Sequence, residues 1–296
     1  MIQLIGIPSF AGALYPGTDE TPAALRKQGI QALLEQNGLP VSNWGDVVLP
    51  SYLPRHDIAP VRNWPAPHMV WEAIIKQGSS WFAPEKFNLL LGGDCSIIVG
   101  VADYLAKLYG EKLYLLIIDA HVDVVKPEPE LCVGAAAMGL WFLTNENLLW
   151  QKPVSVDAGQ IKVLGCQNPP AETYGITTIT LQQLRQNIKN VSEAILASIP
   201  EDGRVLIHFD VDVIGKAEMP AAYAPSETGL TIAEAHELLT YLVADPRTIG
   251  MEVTEFSALK DTDGSNARSL VRLLADTLSK GLSTRKLQPE QEAILK

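Results

Sequence analysis

Lys112 to Asp123 reads "KLYLLIIDAHVD". The unbroken apolar run cannot alternate between a wet and a dry face. It therefore reads as a strand buried on both sides, as in a parallel sheet covered by helices. Polar residues arrive only at its C-terminal end, as Asp119, His121 and Asp123. Sites in parallel α/β sheets form at the carboxyl ends of strands.

Similar runs recur on either side. "IQLIGI" (2–7) precedes a glycine-containing loop. "TPAALRKQGIQALLEQNG" (21–38) predicts one helix, with Thr21 as cap, Pro22 in the first turn and Gly38 at the end. "FNLLLGG" (87–93) is a strand feeding the helix "SIIVGVADYLAKLYG" (96–110), with Ser96 as candidate cap. Strand "IKVLG" (161–165), helix "TLQQLRQNIKNVSEAILASI" (180–199) and strand "RVLIHFDVDV" (204–213) follow. Helix 231–244, strand 248–256 and helix 266–281 complete the alternation. This pattern predicts a single three-layer α/β/α domain over 1–296 with a mainly parallel sheet. No internal repeat or linker divides it. The Pro- and Trp-rich stretch from Ser51 to Pro84 predicts irregular chain that walls a pocket or wraps the surface.

The 296 residues suffice for a full core, and 47% are hydrophobic. Disorder is expected only at the polar end "RKLQPEQEAILK" (285–296). A net charge of −11 argues against nucleic acid and against an anionic membrane surface. No basic segment precedes an apolar one at the start, and no run is long enough to span a membrane, so a cytoplasmic protein is expected. Cys95, Cys132 and Cys166 form no disulfide framework and fit a reducing compartment.

Three strands end in polar clusters: "GGDCS" with Asp94 and Cys95, "IIDAHVD", and "IHFDVDV" with His208, Asp210 and Asp212. Kept extended, 119, 121 and 123 would point one way, as would 208, 210 and 212. Carboxylates converging in an interior repel one another, and a pair of divalent ions relieves them. Asp94, after two glycines, reads as a turn-ordering residue. His208, in or near a strand, reads as a satisfied structural histidine.

At these residues the chain resembles the ureohydrolases, the arginase and agmatinase family, which also includes formimidoylglutamase. "GGDCS" is similar to the family's "GGDHS", "DAHVD" matches "DAHxD", "HFDVDVIG" resembles "SxDxDxxDP" and "GMEVTEF" resembles "MEVNP". The start (5–26) and "DGSNARSLVRLLADTL" (263–278) resemble the family's ends. The resemblance implies an arginase-like fold and a binuclear manganese centre. Asp119 and Asp210 would bridge, Cys95 would stand at the histidine position beside Asp123 on one metal, and His121 and Asp212 would complete the other. A bridging hydroxide would attack the carbon of a small cationic guanidino or other linear amidine compound, cleaving a C–N bond. Asp123 would shuttle the proton and Glu252 would grip the guanidinium. A homo-oligomer is also implied, with 259–268 or the final helix as contact segments.

The chain departs from the family at four places. Cys95 replaces histidine. Gly215 and Lys216 replace Asp-Pro, which removes a brace. Met138 falls near the histidine of "SGNxHG". Thr254 and Glu255 replace Asn-Pro. Cys95 has three readings: a metal ligand, a neutral buried cysteine, or a covalent nucleophile paired with histidine. As a thiolate it would leave the ligand shell one charge too negative and favour Zn2+ or Fe2+ over manganese. Cys132 reads as pocket-lining and Cys166 as structural. The alternative function is a catalytically silent relative that binds a ligand or assembles.

Overall fold

The computed structural model describes residues 1–151 and 156–294, with side chains described as far as residue 285. Residues Leu113–Ile118 form β4, an inner strand of the sheet. Around it lie β1 (Ile2–Gly6), β2 (Val41–Asp46), β3 (Phe87–Leu91), β5 (Ile161–Cys166), β6 (Thr177–Thr180), β7 (Arg204–Asp210) and β8 (Thr248–Thr254). They form one sheet in the order β2-β1-β3-β8-β7-β4-β5-β6. Every pairing between these strands is parallel.

The strands are apolar on both sides because both sides are covered. Leu116, Ile118, Ile207, Phe209, Met251 and Val253 pack on one face. That face is covered by α1 (Thr21–Lys27), α2 (Ile30–Gln36), α6 (Leu181–Gln186), α7 (Ile188–Ala197), α8 (Ile232–Ala244) and α9 (Ser265–Ile294). Leu90, Leu115, Ile117 and Leu206 pack on the other, under α3 (Ala66–Trp81), α4 (Ile97–Tyr109) and α5 (Gly139–Thr144). Alternation along the strands therefore puts His208 and Glu252 on the α3–α5 side, in the company of Leu206 rather than of Met251. Among the described residues, no helix is long and apolar enough to cross a membrane.

Several expectations are corrected. The helix over 21–38 is two helices, broken at Gly29, whose φ of 82° is left-handed and favours glycine. Thr21 does not cap; its hydroxyl donates to the Phe256 carbonyl at 2.6 Å. The helix over 180–199 breaks at Asn187, which caps α7 through its side chain. The stretch 51–84 is irregular only in its first part. α3 forms because Pro65 and Pro67 lie at its start, where no intrahelical donor is lost, and Val70, Trp71, Ile74 and Trp81 recur on one buried face. The polar end continues α9 to Ile294; residues 295 and 296 lie outside the described ones.

Candidate metal centre

Four adjacent central strands, β3, β8, β7 and β4, deliver their C-terminal ends to one place. β4 delivers Asp119. Its carboxylate accepts the His121 backbone N–H at 2.6 Å, so the chain turns instead of staying extended. Asp123 then adopts a left-handed φ of 54°. The expected one-sided row of 119, 121 and 123 is thus replaced by a turn. β7 repeats the device: Asp210 Oδ1 accepts the Asp212 N–H at 2.7 Å.

The two turns face each other. His121 Nδ1 lies 2.9 Å from Asp212 Oδ2 and 3.6 Å from Asp119 Oδ1. Ligand atoms of Asp119, His121 and Asp212 all fall within 4.8 Å of one another. A second set, Cys95, Asp119 and His208, meets the same limit, so Asp119 belongs to both. Cys95 Sγ donates to Asp210 Oδ2 at 2.9 Å. Asp119 is fully buried, and its Oδ2 has no hydrogen-bond partner. A buried carboxylate oxygen without a donor is costly unless a cation reaches it. The donor set of carboxylates, imidazole and thiol fits divalent ions.

Burial pushes Asp210 and Asp123 well up, and the carboxylates of Asp212 and Asp119 respectively push them further. Asp212 is raised to about 6 by burial and by Asp119. His121 is raised to about 11 by Asp119 and Asp212. Burial, then Asp210, pushes the Cys95 thiol up, so without a cation it stays protonated.

These groups form the floor of a cavity of about 740 Å3. Cys95, His121, Asp123, Asp210, Asp212 and Glu255 line it. Asp119, His208 and Glu252 lie behind that lining.

The Arginase family profile matches residues 1–279. The chain belongs to the arginase family. An arginase of Staphylococcus aureus (strain MRSA252) is 28% identical over 298 residues, covering 92% of this chain and 95% of the relative. In fold, the chain is similar to the arginase of Bacillus cereus, with a TM-score of 0.80 at 22% identity, covering 94% of this chain and 98% of that one. It is also similar to the formimidoylglutamase of Bacillus subtilis, with a TM-score of 0.76 at 19% identity, covering 95% and 86%.

The departures from the arginase-family motifs now have places. Glu252 is fully buried and accepts from His208 Nδ1 at 2.9 Å, so it does not face the cavity. Glu255 does face it, turned there by a left-handed φ of 60°. Glu255 Oε1 accepts the Cys95 N–H, and its own carboxyl is held well up by burial and by Asp94. Met138 is buried among Trp and Leu side chains and is not at the cavity. Gly215 lies in a loop that is braced after all, by backbone bonds. Gly215 N donates to Leu230 O, Leu230 N to Val213 O and Lys216 N to Ser226 O. A Cβ on Gly229 would overlap the Gly215 nitrogen, so this brace needs glycine.

Asp94 has the turn role expected of it, accepting from Gly12 N, Ser96 N and Ser96 Oγ. Cys132, expected at the pocket, is not in its lining, and Cys166 is buried at the end of β5. His208 is a buried histidine with both ring nitrogens partnered, as expected, its Nδ1 by Glu252. Its Nε2 lies 3.3 Å from Cys95 Sγ and 3.2 Å from Thr254 Oγ1.

Proposed function

We propose that the protein hydrolyses a C–N bond of a guanidino or other linear amidine compound with two divalent metal ions. The observation that carries this reading is Asp119, shared by two ligand sets at the foot of an acidic cavity. His121, Asp212 and Asp119 would hold one ion. Cys95, Asp119 and Asp210 would hold the other. When bound, such ions neutralise the carboxylates and lower the pKa of a water toward neutrality. Manganese is the ion the family implies; zinc or iron(II) suits the sulfur better.

The chain's own groups supply the rest. The cavity's carboxyl groups, once ionised, attract a cation. Glu255, facing the cavity, would pair with a planar guanidinium or amidinium and orient it in the cavity. Asp123, at the same wall, has its carboxyl raised by burial and by Asp119. A carboxyl raised in this way suits holding a proton and passing it to the departing amine. Val122, Val124 and Ala137 offer apolar wall for a methylene stem.

The test is a screen of guanidino and amidino compounds with metal-free protein reloaded separately with manganese, zinc or iron(II). The expected result is stoichiometric release of amine with at least one compound and one metal. Two ions bound with no turnover of any compound would overturn the hydrolase reading and favour a silent, ligand-binding relative.

A further inference from the structure

One imidazole behind the cavity lining remains unused by that reading. His208 is buried, 2% exposed, and reaches Cys95 through Nε2 and Glu252 through Nδ1. In β7 it is the register partner of Glu252 in β8 and of Ile117 in β4. It thus stands on the α3–α5 face of the sheet, behind the cavity lining. With Nδ1–H donating to the Glu252 carboxylate, the Nε2 lone pair faces Cys95 Sγ at 3.3 Å and the Thr254 hydroxyl at 3.2 Å, so an ion would take the place of that hydroxyl's hydrogen bond.

We propose that His208 is a metal ligand: together with Cys95 and Asp119 it forms a sulfur–nitrogen–oxygen half-site for a thiophilic divalent ion of the zinc or iron(II) kind. This inference rests on the binuclear reading above and changes the composition of one half of it. Cys95 stands where the related motif "GGDHS" has its histidine, and His208 returns an imidazole to the same half-site from the next strand but one.

Distances support ligation. With metal–sulfur and metal–nitrogen bonds of about 2.3 and 2.05 Å, a tetrahedral ion sets S and N about 3.6 Å apart. Sγ and Nε2 of the protein are 3.3 Å apart, so a small opening admits the ion. Asp119, whose Oδ2 has no hydrogen-bond partner, would supply the third ligand atom. Glu252 then acts as a positioning residue. A carboxylate behind a ligating histidine fixes its tautomer and raises its basicity. This role explains why a glutamate is buried in β8 instead of facing the cavity.

The competing arrangement is a Cys95–His208–Glu252 relay with Cys95 as nucleophile. Such a relay needs a thiolate. Here Asp210 accepts from Sγ at 2.9 Å, and the nearby carboxylates oppose a second negative charge. A cation relieves both.

The test loads metal-free protein with Co2+ and Zn2+ alone and reads coordination, not turnover. In the wild type, Co2+ should give a sulfur-to-cobalt charge-transfer band. Cys95→Ser should abolish the band, and His208→Gln should weaken cobalt affinity at least ~100-fold. Glu252→Gln should weaken it roughly 10- to 100-fold. Far-ultraviolet dichroism and melting curves check that each variant folds. If His208→Gln does not fold, X-ray absorption of the zinc-loaded wild type decides, with one sulfur near ~2.3 Å and imidazole near ~2.05 Å expected. An all-oxygen shell, unchanged affinity in a folded His208→Gln variant, or rapid alkylation of Cys95 at pH 7 in both metal-free and metal-loaded protein overturns the proposal. Sulfur and imidazole ligation without turnover would uphold it and sink the hydrolase reading; turnover with an all-oxygen shell would do the reverse.

Discussion

Glu255 Oε1 accepts the backbone N–H of Cys95 at 2.7 Å. That bond joins the end of β8 to the turn after β3, and Glu255 N donates to Gly93 O in return at 3.0 Å. The same side chain faces the cavity, so it both shapes the floor and offers a carboxyl group to whatever enters.

Glu255→Gln keeps an acceptor for Cys95 but removes the group that can ionise against a bound cation. Stability should therefore stay within about 1 kcal/mol of the wild type. If the carboxylate grips a cation, kcat/KM for a guanidino substrate should fall roughly 10- to 100-fold, the loss of one charge-assisted hydrogen bond. Glu252→Gln, behind His208, should leave KM much less affected than metal content. Steady-state kinetics with metal analysis on the same samples separates the two glutamates. Equal effects on KM would contradict the assignment of Glu255 to the substrate.

Metal-free protein should lose stability as pH rises. Asp212 titrates at about 6 in the fold against 3.8 ordinarily. The folded state then binds its proton more tightly, and the stability this gives is full below about 3.8 and gone above about 6. His121, raised from 6.5 to about 11, contributes stability that is full below 6.5 and lost as pH rises through 11. Both trends run the same way, and metal must displace these protons. The gap in Tm between metal-loaded and chelator-treated protein should therefore widen from pH 5.5 to pH 8. Melting curves with and without chelator check it, and a gap that narrows over that range would count against these residues as the ligands.

The strand ends were legible because two signals coincided. "LYLLII" and "VLIHF" are apolar on both faces, and aspartates follow each at once. What escaped was non-local. Nothing within "IHFDVD" shows that His208 lies beside Glu252, because that depends on the register of β7 against β8. The period of β8 likewise favours Glu252, and only the left-handed turn at Glu255 brings the second glutamate to the cavity. The turn at Asp119 could have been read: an aspartate at a strand end commonly accepts from the N–H two residues on. α3 hid behind prolines that in fact mark its first turn.

Gly93 fixes the height of the Cys95 turn. A Cβ there would overlap the Ser9 carbonyl, while Asp94 N donates to that same oxygen at 3.1 Å. Gly93→Ala must push the loop after β1 away from the turn after β3. The expected cost is about 2–3 kcal/mol, typical of overpacking against backbone. Metal affinity should suffer too, since Cys95 moves with the turn. Urea denaturation gives the first quantity and cobalt titration the second; an unchanged midpoint would show that the contact relaxes freely.

Lys126 bears on substrate choice. It lines the cavity, and no other lysine or arginine does so among the described residues. The floor carries negative charge, so a guanidino compound with a neutral or cationic tail gains nothing from an ammonium at the wall. A compound whose other end is a carboxylate does gain, by up to about 1 kcal/mol for an exposed pair. Lys126→Met should therefore raise KM for a carboxylate-bearing substrate several-fold and leave kcat nearly unchanged, because the contact is the same in ground and transition states. For the matching compound without the carboxylate, KM should stay level or fall slightly as a repulsive charge is removed. Kinetics on such a matched pair decides between the two substrate classes. A fall in kcat for both compounds would instead place Lys126 in the chemistry of the site.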